Sequence, residues 1–546
     1  MTLFASLAGA QALSDRYFDE YYFPTNPTAA TYTGIHKYDG ELEDYSKAAV
    51  AREVATLKQF EAQFAKLPPD PDRDLMLSSI RAALLELEEV RSWERNPDMY
   101  SSSITSSAFT LMSRTFVPSE TRLRSLISRE RKMPQVLAEA RANLKNPPHI
   151  YTEIAMEQLP GLVRFFQNDV PLAFTAVKDQ KLLGEFKSTN QAVISALQSY
   201  EVFLKDDLLA RSNGDFRLGA DKFSKKLLYE EMVDLPLDRL LQIGYADLRA
   251  NQEKFKQVAA SIDRSKTPRQ ILTELEKQHP PADKLLEAYR TVVAQLRDYI
   301  SAHKIVTIPS QTLPIVEETP PFARALTFAS MDTPGPYEMV AKEAFFNITL
   351  PEKSWSRERQ DEFMRGEHRG AILTTAIHEA YPGHYVQFQW LHQAPSRVRK
   401  LISANTFVEG WAHYCEQMMF DEGYTADPLL RLGQLQDALM RDARYIVGLQ
   451  MHTGKMTYEQ GIDFFVNEGY QTRETGTRET RRGTADPIYM YYTLGKLEIL
   501  KLREDYRKMR GAQFSLQEFH DRLLSQGYPP LKIVRKTMLG NDSPPL

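Results

Sequence analysis

The chain has 546 residues, of which 42% are hydrophobic and 26% charged, and its formal net charge is −4. This composition is ordinary for a globular protein, and the length predicts two to four domains or one large helical body. The absence of a basic excess argues against nucleic acid as a partner. The single Cys415 excludes an internal disulfide framework, and no apolar run reaches the roughly 20 residues of a membrane span.

Residues 1–13 are apolar and small, with the sequence MTLFASLAGAQAL. The part from Ala8 to Ala12 resembles the end of a signal peptide, but no Lys or Arg precedes it. We therefore expect either the remnant of a signal peptide or an unstructured tail. The first alternative predicts a periplasmic or secreted protein, and the second a cytoplasmic one.

Residues 14–303 are predicted to form a helical N-terminal lobe. Apolar residues recur at spacings of three and four, with charged residues between them, and Pro-rich breaks separate the segments. The clearest segments are Ala48–Leu67, Asp74–Trp93, Glu120–Leu144, Ser188–Leu208 and Leu237–Ile262.

The pattern changes after residue 303, where short β-prone runs alternate with Pro and Gly. Three strands are predicted, at Lys304–Ile308, Ala325–Ala329 and Ala344–Leu350. Helical periodicity returns near Arg357. Residues 304–546 are therefore predicted to form a second lobe with a small sheet near 304–350. The expected fold is mainly α, a large two-lobed helical body with a deep cleft.

The third predicted strand has two interpretations. As an edge strand lining the cleft, residues 345–350 would pair with an extended substrate, and Asn347 would contact it. The alternative is an ordinary structural strand.

The segment from Ile372 to His384 reads ILTTAIHEAYPGH and contains two histidines and a glutamate. Two imidazoles are typical ligands of a catalytic zinc, and a Glu beside the first is the usual general base. The histidines are six positions apart, which on a regular helix rotates the second by about 240°. Pro382 and Gly383 predict a kink or bulge that brings His384 back toward His378. The alternative is a chance pair of histidines at a helix end.

The segment NTFVEGWAHYCEQMMFDEG, at residues 405–423, supplies a third candidate ligand. Glu409 lies among aromatic and apolar residues, where a carboxylate needs a partner such as a metal ion. His413 and Glu416 follow at spacings of four and seven, so they share its helical face and are candidates for orienting the ligands. The alternative is a surface pair between Glu409 and His413.

The stretches HEAYPGHYVQ and FVEGWAHYCEQ resemble the bacterial family labelled "domain of unknown function 885". DRYFDEYYFPTNPTAATYTGIHKYDGELEDYS and RLGADKFSKKLLYEEM extend this resemblance from about residue 14 to 540. More distantly, both motifs are similar to the helical zinc peptidases related to angiotensin-converting enzyme. The resemblance implies a mostly α-helical body with one Zn²⁺ at the floor of a cleft. It makes His378, His384 and Glu409 the metal ligands and Glu379 the general base.

Family members carry a Tyr three residues before a Gly, which matches Tyr492 and Gly495 in PIYMYYTLG. A Tyr hydroxyl can stabilise the oxyanion of a tetrahedral intermediate. Tyr492 is therefore the candidate donor, with Tyr489 and Tyr491 as rivals. All three are equally compatible with a role as core aromatics.

Three further residues are candidates for binding substrate. Arg444 and His452 are eight positions apart on a helical segment and roughly share a face. Arg482 lies in the charge-dense stretch RETGTRETRR and is a candidate contact for an anionic substrate end. Residues of these types more often make structural hydrogen bonds or face solvent.

The predicted function is that of a zinc metallopeptidase acting on peptide substrates. A zinc hydrolase of non-peptide amides or esters would need the same ligands, and a non-enzymatic helical binding protein with a residual metal site is the third alternative. The sequence does not distinguish endopeptidase from exopeptidase, and it leaves side-chain preference, oligomeric state and compartment open.

Overall fold

The computed structural model describes residues 2–320, 324 and 328–546, with side chains described from residue 9 onward. The chain is 71% helical, which confirms the mainly α prediction. None of the described helices combines the length and the apolar character needed to cross a membrane.

The described residues of Met1–Phe216, Pro320–Ala325 and Pro334–Glu343 form one compact unit. Its core is built from side chains such as Tyr100, Leu123 and Phe165. Its α-helices are α1 Thr2–Arg16, α2 Phe23–Thr25, α3 Pro27–Thr33, α4 Lys47–Ala65, α5 Pro71–Leu85, α6 Ser92–Arg95, α7 Pro97–Met112, α8 Ser119–Glu130, α9 Met133–Asn143, α10 His149–Arg164, α11 Val170–Ala173 and α12 Gln180–Phe203.

The described residues of Arg217–Thr319, Leu326–Thr333 and Ala344–Leu546 form a second compact unit, which contains both motifs. Its α-helices are α13 Ala220–Glu231, α14 Leu237–Ile262, α15 Pro268–Glu276, α16 Leu285–His303, α17 Arg357–Gly366, α18 Arg369–Glu379, α19 His384–Trp390, α20 Arg397–Leu401, α21 Asn405–Asp421, α22 Pro428–His452, α23 Tyr458–Asn467, α24 Arg473–Ala485, α25 Tyr491–Arg510, α26 Leu516–Leu524 and α27 Leu531–Leu539. The predicted lobe boundary at residue 303 and the predicted cleft stay predictions.

Two of the predicted helices show how local sequence sets helix ends. The prediction at Leu237–Ile262 is confirmed, and this helix begins directly after Pro236. The predicted segment Glu120–Leu144 forms two helices, because Pro134 lies in the first turn of α9, where its missing N–H does no harm.

The sheet has three strands, β1 Ile315–Glu318, β2 Ala329–Asp332 and β3 Phe345–Ile348, in the order β1-β3-β2. β3 pairs in parallel with β1 and antiparallel with β2. The third predicted strand, Ala344–Leu350, is thus confirmed as a strand. It is central in the sheet, so the prediction that it is an edge strand is wrong.

The other two strand predictions fare differently. Lys304–Ile308 is not a strand: Lys304 ends α16 with a positive φ of 52°, and the amide of Ile305 bonds back to the carbonyl of Ile300. Of the predicted strand Ala325–Ala329, residues 325–327 lie outside the described residues. Its last residue begins β2.

Candidate metal centre

The first motif is split between two helices, because α18 ends at Glu379 and α19 begins at His384. The predicted interruption at Pro382 and Gly383 is confirmed. Gly383 approaches the preceding helix so closely that a Cβ there would overlap the carbonyl oxygen of His378. The position therefore requires glycine.

The interruption turns the two imidazoles toward each other. The ring centroids of His378 and His384 are 4.8 Å apart, with their planes at 88°. The indole N–H of Trp411 donates to the carbonyl of Pro382 at 3.0 Å, which ties the interruption to α21. The same helix carries Glu409, so this bond links the segment before His384 to the helix that holds the third candidate ligand.

Glu409 meets both histidines at a single oxygen. Its Oε2 lies 3.3 Å from Nε2 of His378 and 3.5 Å from Nε2 of His384. One possible ligand atom from each of the three residues lies within 4.8 Å of the others. The structure thus brings together all three residues that the sequence predicts as metal ligands.

The other nitrogen of each ring faces an oxygen. Nδ1 of His378 lies 2.7 Å from Oε1 of Glu416, and Nδ1 of His384 lies 3.3 Å from Oε1 of Gln387. An ionised carboxylate and an amide oxygen only accept hydrogen bonds, so each Nδ1 carries a proton. In the neutral rings, both Nε2 lone pairs therefore point at Glu409.

Three acceptor atoms facing one another require a positive charge between them. Within the described chain, Oε2 of Glu409 is buried without a hydrogen-bond partner. A proton is one solution: burial lowers the pKa of His378, but the neighbouring carboxylates of Glu409 and Glu416 outweigh it and raise that pKa to about 9. A metal ion is the other, and its binding releases the proton.

The two separations measured from Glu409 fit zinc. Ligand atoms at about 2.0–2.2 Å from a tetrahedral Zn²⁺ lie about 3.4 Å from one another. The measured separations from Oε2 of Glu409 are 3.3 and 3.5 Å. Two neutral imidazoles and one carboxylate also form a donor set that leaves a fourth position open.

A charged layer lies behind His378. Glu416 is fully buried, and its Oε1 lies 2.7 Å from Nη2 of Arg441, while its Oε2 accepts from Nδ1 of His413 at 3.2 Å. Burial raises the pKa of Glu416, but Arg441 and His413 outweigh it and hold that pKa well below its usual range. Glu416 stays ionised and keeps the proton of His378 on Nδ1. Glu416 thus contacts His378 directly, as its predicted orienting role requires. His413 contacts Glu416.

Glu379 is the last residue of α18 and directly follows the first histidine. The backbone of Met331 in β2 lies near its carboxylate and acts to lower its pKa. Burial raises the pKa of Glu379, and the neighbouring rings of His384 and His378 partly offset this. A carboxylate with a raised pKa is a better proton acceptor, as a general base requires.

Close packing of α21 on α25 brings the tyrosines to this cluster. A Cβ on Gly410 would lie 2.6 Å from Cα of Gly495, so the two helices touch backbone to backbone. One helical turn before Gly495, the ring of Tyr492 lies 6.3 Å from the ring of His378. The predicted oxyanion donor therefore lies beside the metal ligands.

The three candidate tyrosines differ in whether a hydrogen-bond acceptor within the protein already binds the hydroxyl proton. Tyr491 donates to Oδ2 of Asp486 at 2.8 Å, and Tyr489 donates to the carbonyl of Glu479 at 3.4 Å. The hydroxyl of Tyr492 instead accepts from Arg482 at 3.3 Å, and no described residue accepts its proton. Of these three described tyrosines, Tyr492 alone has a hydroxyl proton that no described residue accepts.

Comparison with models of known protein families identifies the family of this chain. A model of the family described as "Bacterial protein of unknown function (DUF885)" matches residues 27–538. The chain belongs to this family. No curated protein matches it.

Two solved structures share the fold of this DUF885 protein. One, described as "a putative lipoprotein of unknown function from Shewanella oneidensis", has 26% identity and a TM-score of 0.80, covering 96% of this chain and 99% of its own. The other, described as "the putative lipoprotein from Colwellia psychrerythraea", has 19% identity and a TM-score of 0.82, covering 98% and 99%. Neither description states an activity.

Three residues of this DUF885 chain that the sequence predicts to contact substrate are buried inside the protein. Arg444 is buried and pairs through Nε with Oε2 of Glu479 at 2.7 Å. His452 is fully buried, and its Nε2 lies 2.7 Å from the carbonyl of Gly483. Asn347 is buried in the central strand of the sheet. These contacts are those of structural residues and give the predicted substrate role no support.

Two polar partners of the DUF885 site were missed by sequence reasoning. Gln387 follows His384 by three positions on α19, a spacing that could have identified it. Arg441 is 63 positions from His378, and no local pattern links the two. Only the packing of α18 on α22 brings them together.

Proposed function

We propose that this protein is a zinc-dependent peptidase. The observation that carries the proposal is the convergence of two imidazole lone pairs and one carboxylate oxygen, at 3.3 and 3.5 Å, beside Glu379. His378, His384 and Glu409 would hold the metal. The resemblance of the two sequence motifs to those of helical zinc peptidases related to angiotensin-converting enzyme supports the same chemistry in this proposal.

When bound, Zn²⁺ supplies a Lewis acid that polarises the scissile carbonyl and acidifies a water molecule. Glu379 accepts the proton of that water and passes it to the leaving nitrogen. The raised pKa of Glu379 favours this transfer. Glu416 fixes the orientation of His378 through Nδ1.

Tyr492 is the oxyanion donor in this proposal. Its hydroxyl accepts a hydrogen bond from Arg482, which makes the hydroxyl a stronger donor toward a developing negative charge. Tyr491 is unsuited to this role because its proton is bound to Asp486.

The position of β2 favours a peptide over a small ester or amide. Among the described residues, β2 lies at an edge of the sheet, and the backbone of its Met331 lies near the carboxylate of Glu379. An extended peptide can pair with such an edge and present its backbone to the general base. In this proposal β2, and not β3, is the edge strand that pairs with the substrate.

The test combines metal analysis with cleavage of a peptide library. Wild-type protein should contain one zinc per chain and cleave peptides. Glu379→Gln should retain zinc and lose about 10²–10⁴-fold in turnover, the usual scale for a general base. His384→Ala should lose both zinc and activity. Wild-type turnover by Glu379→Gln would refute the proposal.

The tyrosines provide a matched pair. Tyr492→Phe should retain zinc and lose about 10²–10³-fold in turnover, whereas Tyr491→Phe should change it by less than about tenfold. Equal losses would exclude Tyr492 as the specific donor. Cleavage of aryl esters or N-acyl amides without peptides would favour the non-peptide hydrolase. Zinc binding without hydrolysis of any substrate would favour the binding protein.

A further inference from the structure

Three guanidinium groups surround the ring of Tyr492. Their central carbons lie 5.7 Å (Arg441), 5.0 Å (Arg444) and 5.8 Å (Arg482) from the ring centroid. This is a concentration of positive charge beside the hydroxyl proposed to stabilise the oxyanion. The three differ in what else they bind.

Two of these arginines are already neutralised. Arg441 lies 2.7 Å from Glu416 and Arg444 lies 2.7 Å from Glu479, and the side chains of both arginines are at most 10% exposed. Each of these pairs is buried, so neither guanidinium is available to a ligand without breaking an internal ion pair.

Arg482 is different because it is reachable and only partly used. Its side chain is 38% exposed, and its contacts all use Nη2: 3.2 Å to Asp486 and 3.3 Å to each hydroxyl of Tyr491 and Tyr492. Within the described chain, Nε and Nη1 have no hydrogen-bond or ion-pair partner. A guanidinium binds a carboxylate through two parallel N–H groups, and Arg482 retains donors for this.

The spacing sets the length of the group that is released. Nη2 of Arg482 lies 3.3 Å from the hydroxyl of Tyr492. A carboxylate bound to the remaining donors and an oxyanion bound to that hydroxyl would therefore be neighbours, separated by little more than one guanidinium group. One residue spans about 3.3–3.6 Å of extended chain, so one residue fits between the scissile carbonyl and the terminal carboxylate.

We propose that the protein is a carboxypeptidase that releases single residues from free C-termini, with Arg482 binding the terminal carboxylate. This inference rests on the proposed peptidase function. Water adds to the last peptide carbonyl, the C–N bond breaks, and Glu379 carries the water proton to the leaving nitrogen. The products are one free amino acid and a peptide shortened by one residue, with a new carboxylate at its end.

The first experiment compares two peptides of the same sequence, one ending in a carboxylate and the other in an amide. The zinc-loaded full chain should convert the acid into a ladder that shortens by one residue at a time, followed by mass spectrometry. The amide should be cleaved about 10–100-fold less efficiently in kcat/KM, the scale of a lost charge-assisted hydrogen bond.

The second experiment removes the guanidinium. Arg482→Gln should raise KM for the acid peptide about 10–100-fold and abolish the preference for acid over amide. Arg473→Gln is the matched control, because Arg473 is on the same helix, α24, and its side chain is 65% exposed. This control substitution should leave KM and kcat for both peptides at their wild-type values.

A binding measurement gives a readout that is independent of turnover. By calorimetry, wild-type protein should bind an N-acetyl amino acid more tightly than its amide, and Arg482→Gln should bind both equally weakly. Equal cleavage of acid and amide, or internal cleavage sites, would overturn the carboxypeptidase while the peptidase stands. An acid preference that survives Arg482→Gln would also overturn it. No hydrolysis of either peptide would overturn both proposals.

Discussion

Two buried glutamates, one in each unit, have the same exposure and opposite electrostatics. Glu130, in the first unit, accepts one hydrogen bond from Thr189, and burial raises its pKa to about 8. Glu416, in the second, contacts Arg441, His413 and His378. Its pKa is held below its usual range despite equal burial.

The difference lies in the partners and not in the depth of burial. A buried carboxylate without a cation takes a proton, whereas one with several cationic or N–H partners stays ionised. Around the candidate metal site, the chain assembles enough positive charge to keep Glu416 charged. In the core of the first unit, Glu130 is a neutral acid at neutral pH and acts as an ordinary polar core residue.

The largest expected effect comes from removing the charge of Glu416. Glu416→Gln leaves the guanidinium of Arg441 buried without its counter-charge, which should cost about 3–5 kcal/mol in the free energy of unfolding. It also removes the partner of His378 and should weaken zinc binding about 10–100-fold. Urea unfolding at pH 7 and zinc titration measure the two effects.

A matched variant on the same helix is Asp421→Asn. Asp421 is 40% exposed, so solvent screens its pair with Arg431, whose own side chain is 12% exposed. This change should cost less than about 1 kcal/mol and leave zinc affinity unaltered. If Glu416→Gln behaved like Asp421→Asn, the charged layer would have no role in supporting the site.

A smaller effect of opposite sign is expected at Glu130. Its folded pKa of about 8 lies above the usual 4.5, so the folded state keeps a proton that the unfolded state loses between these pH values. Wild-type stability due to this group is complete below pH 4.5 and falls as pH rises toward 8.

Glu130→Gln mimics the protonated acid and does not titrate. The variant should match wild type near pH 4 and exceed its free energy of unfolding by about 2–4 kcal/mol at pH 8. Chemical unfolding at the two pH values checks this. A constant difference between the proteins at all pH values would mean that Glu130 is not a neutral acid.

The smallest expected effect is the coupling between Glu416 and Arg441. Arg441→Met alone should destabilise the protein, because it removes the nearest cation from Glu416. The double variant should be less destabilised than the sum of the single variants, by about 0.5–3 kcal/mol. Strict additivity of the two changes would contradict the 2.7 Å ion pair.

Local sequence was sufficient wherever one element sets the geometry. The run of Glu409, His413 and Glu416 follows the periodicity of a regular helix, so one face could be predicted from spacing alone. The interruption before His384 could be predicted because Pro382 and Gly383 have known effects on a helix. Both features lie within a few residues of one another along the chain.

Local sequence was insufficient to predict which segments form strands and where each strand lies in the sheet. Lys304–Ile308 has the composition of a strand, but its first residue ends a helix, and Ile305 and Val306 pack into the core. A β-prone run becomes a strand only if a neighbour pairs with it, and that neighbour is set by tertiary packing. The same reason makes β3 central and β2 the edge.

The sequence by itself determined the mainly helical fold, the family and the three residues that converge as candidate metal ligands. Tertiary structure alone decided which charges surround them. Arg441 reaches the site from 63 positions away, and of the neighbouring tyrosines Tyr491 donates its hydroxyl proton to Asp486, whereas Tyr492 lies beside His378. The physical reason is that spacing along one helix is fixed by its period, whereas hydrogen bonds and ion pairs between helices depend on how they pack.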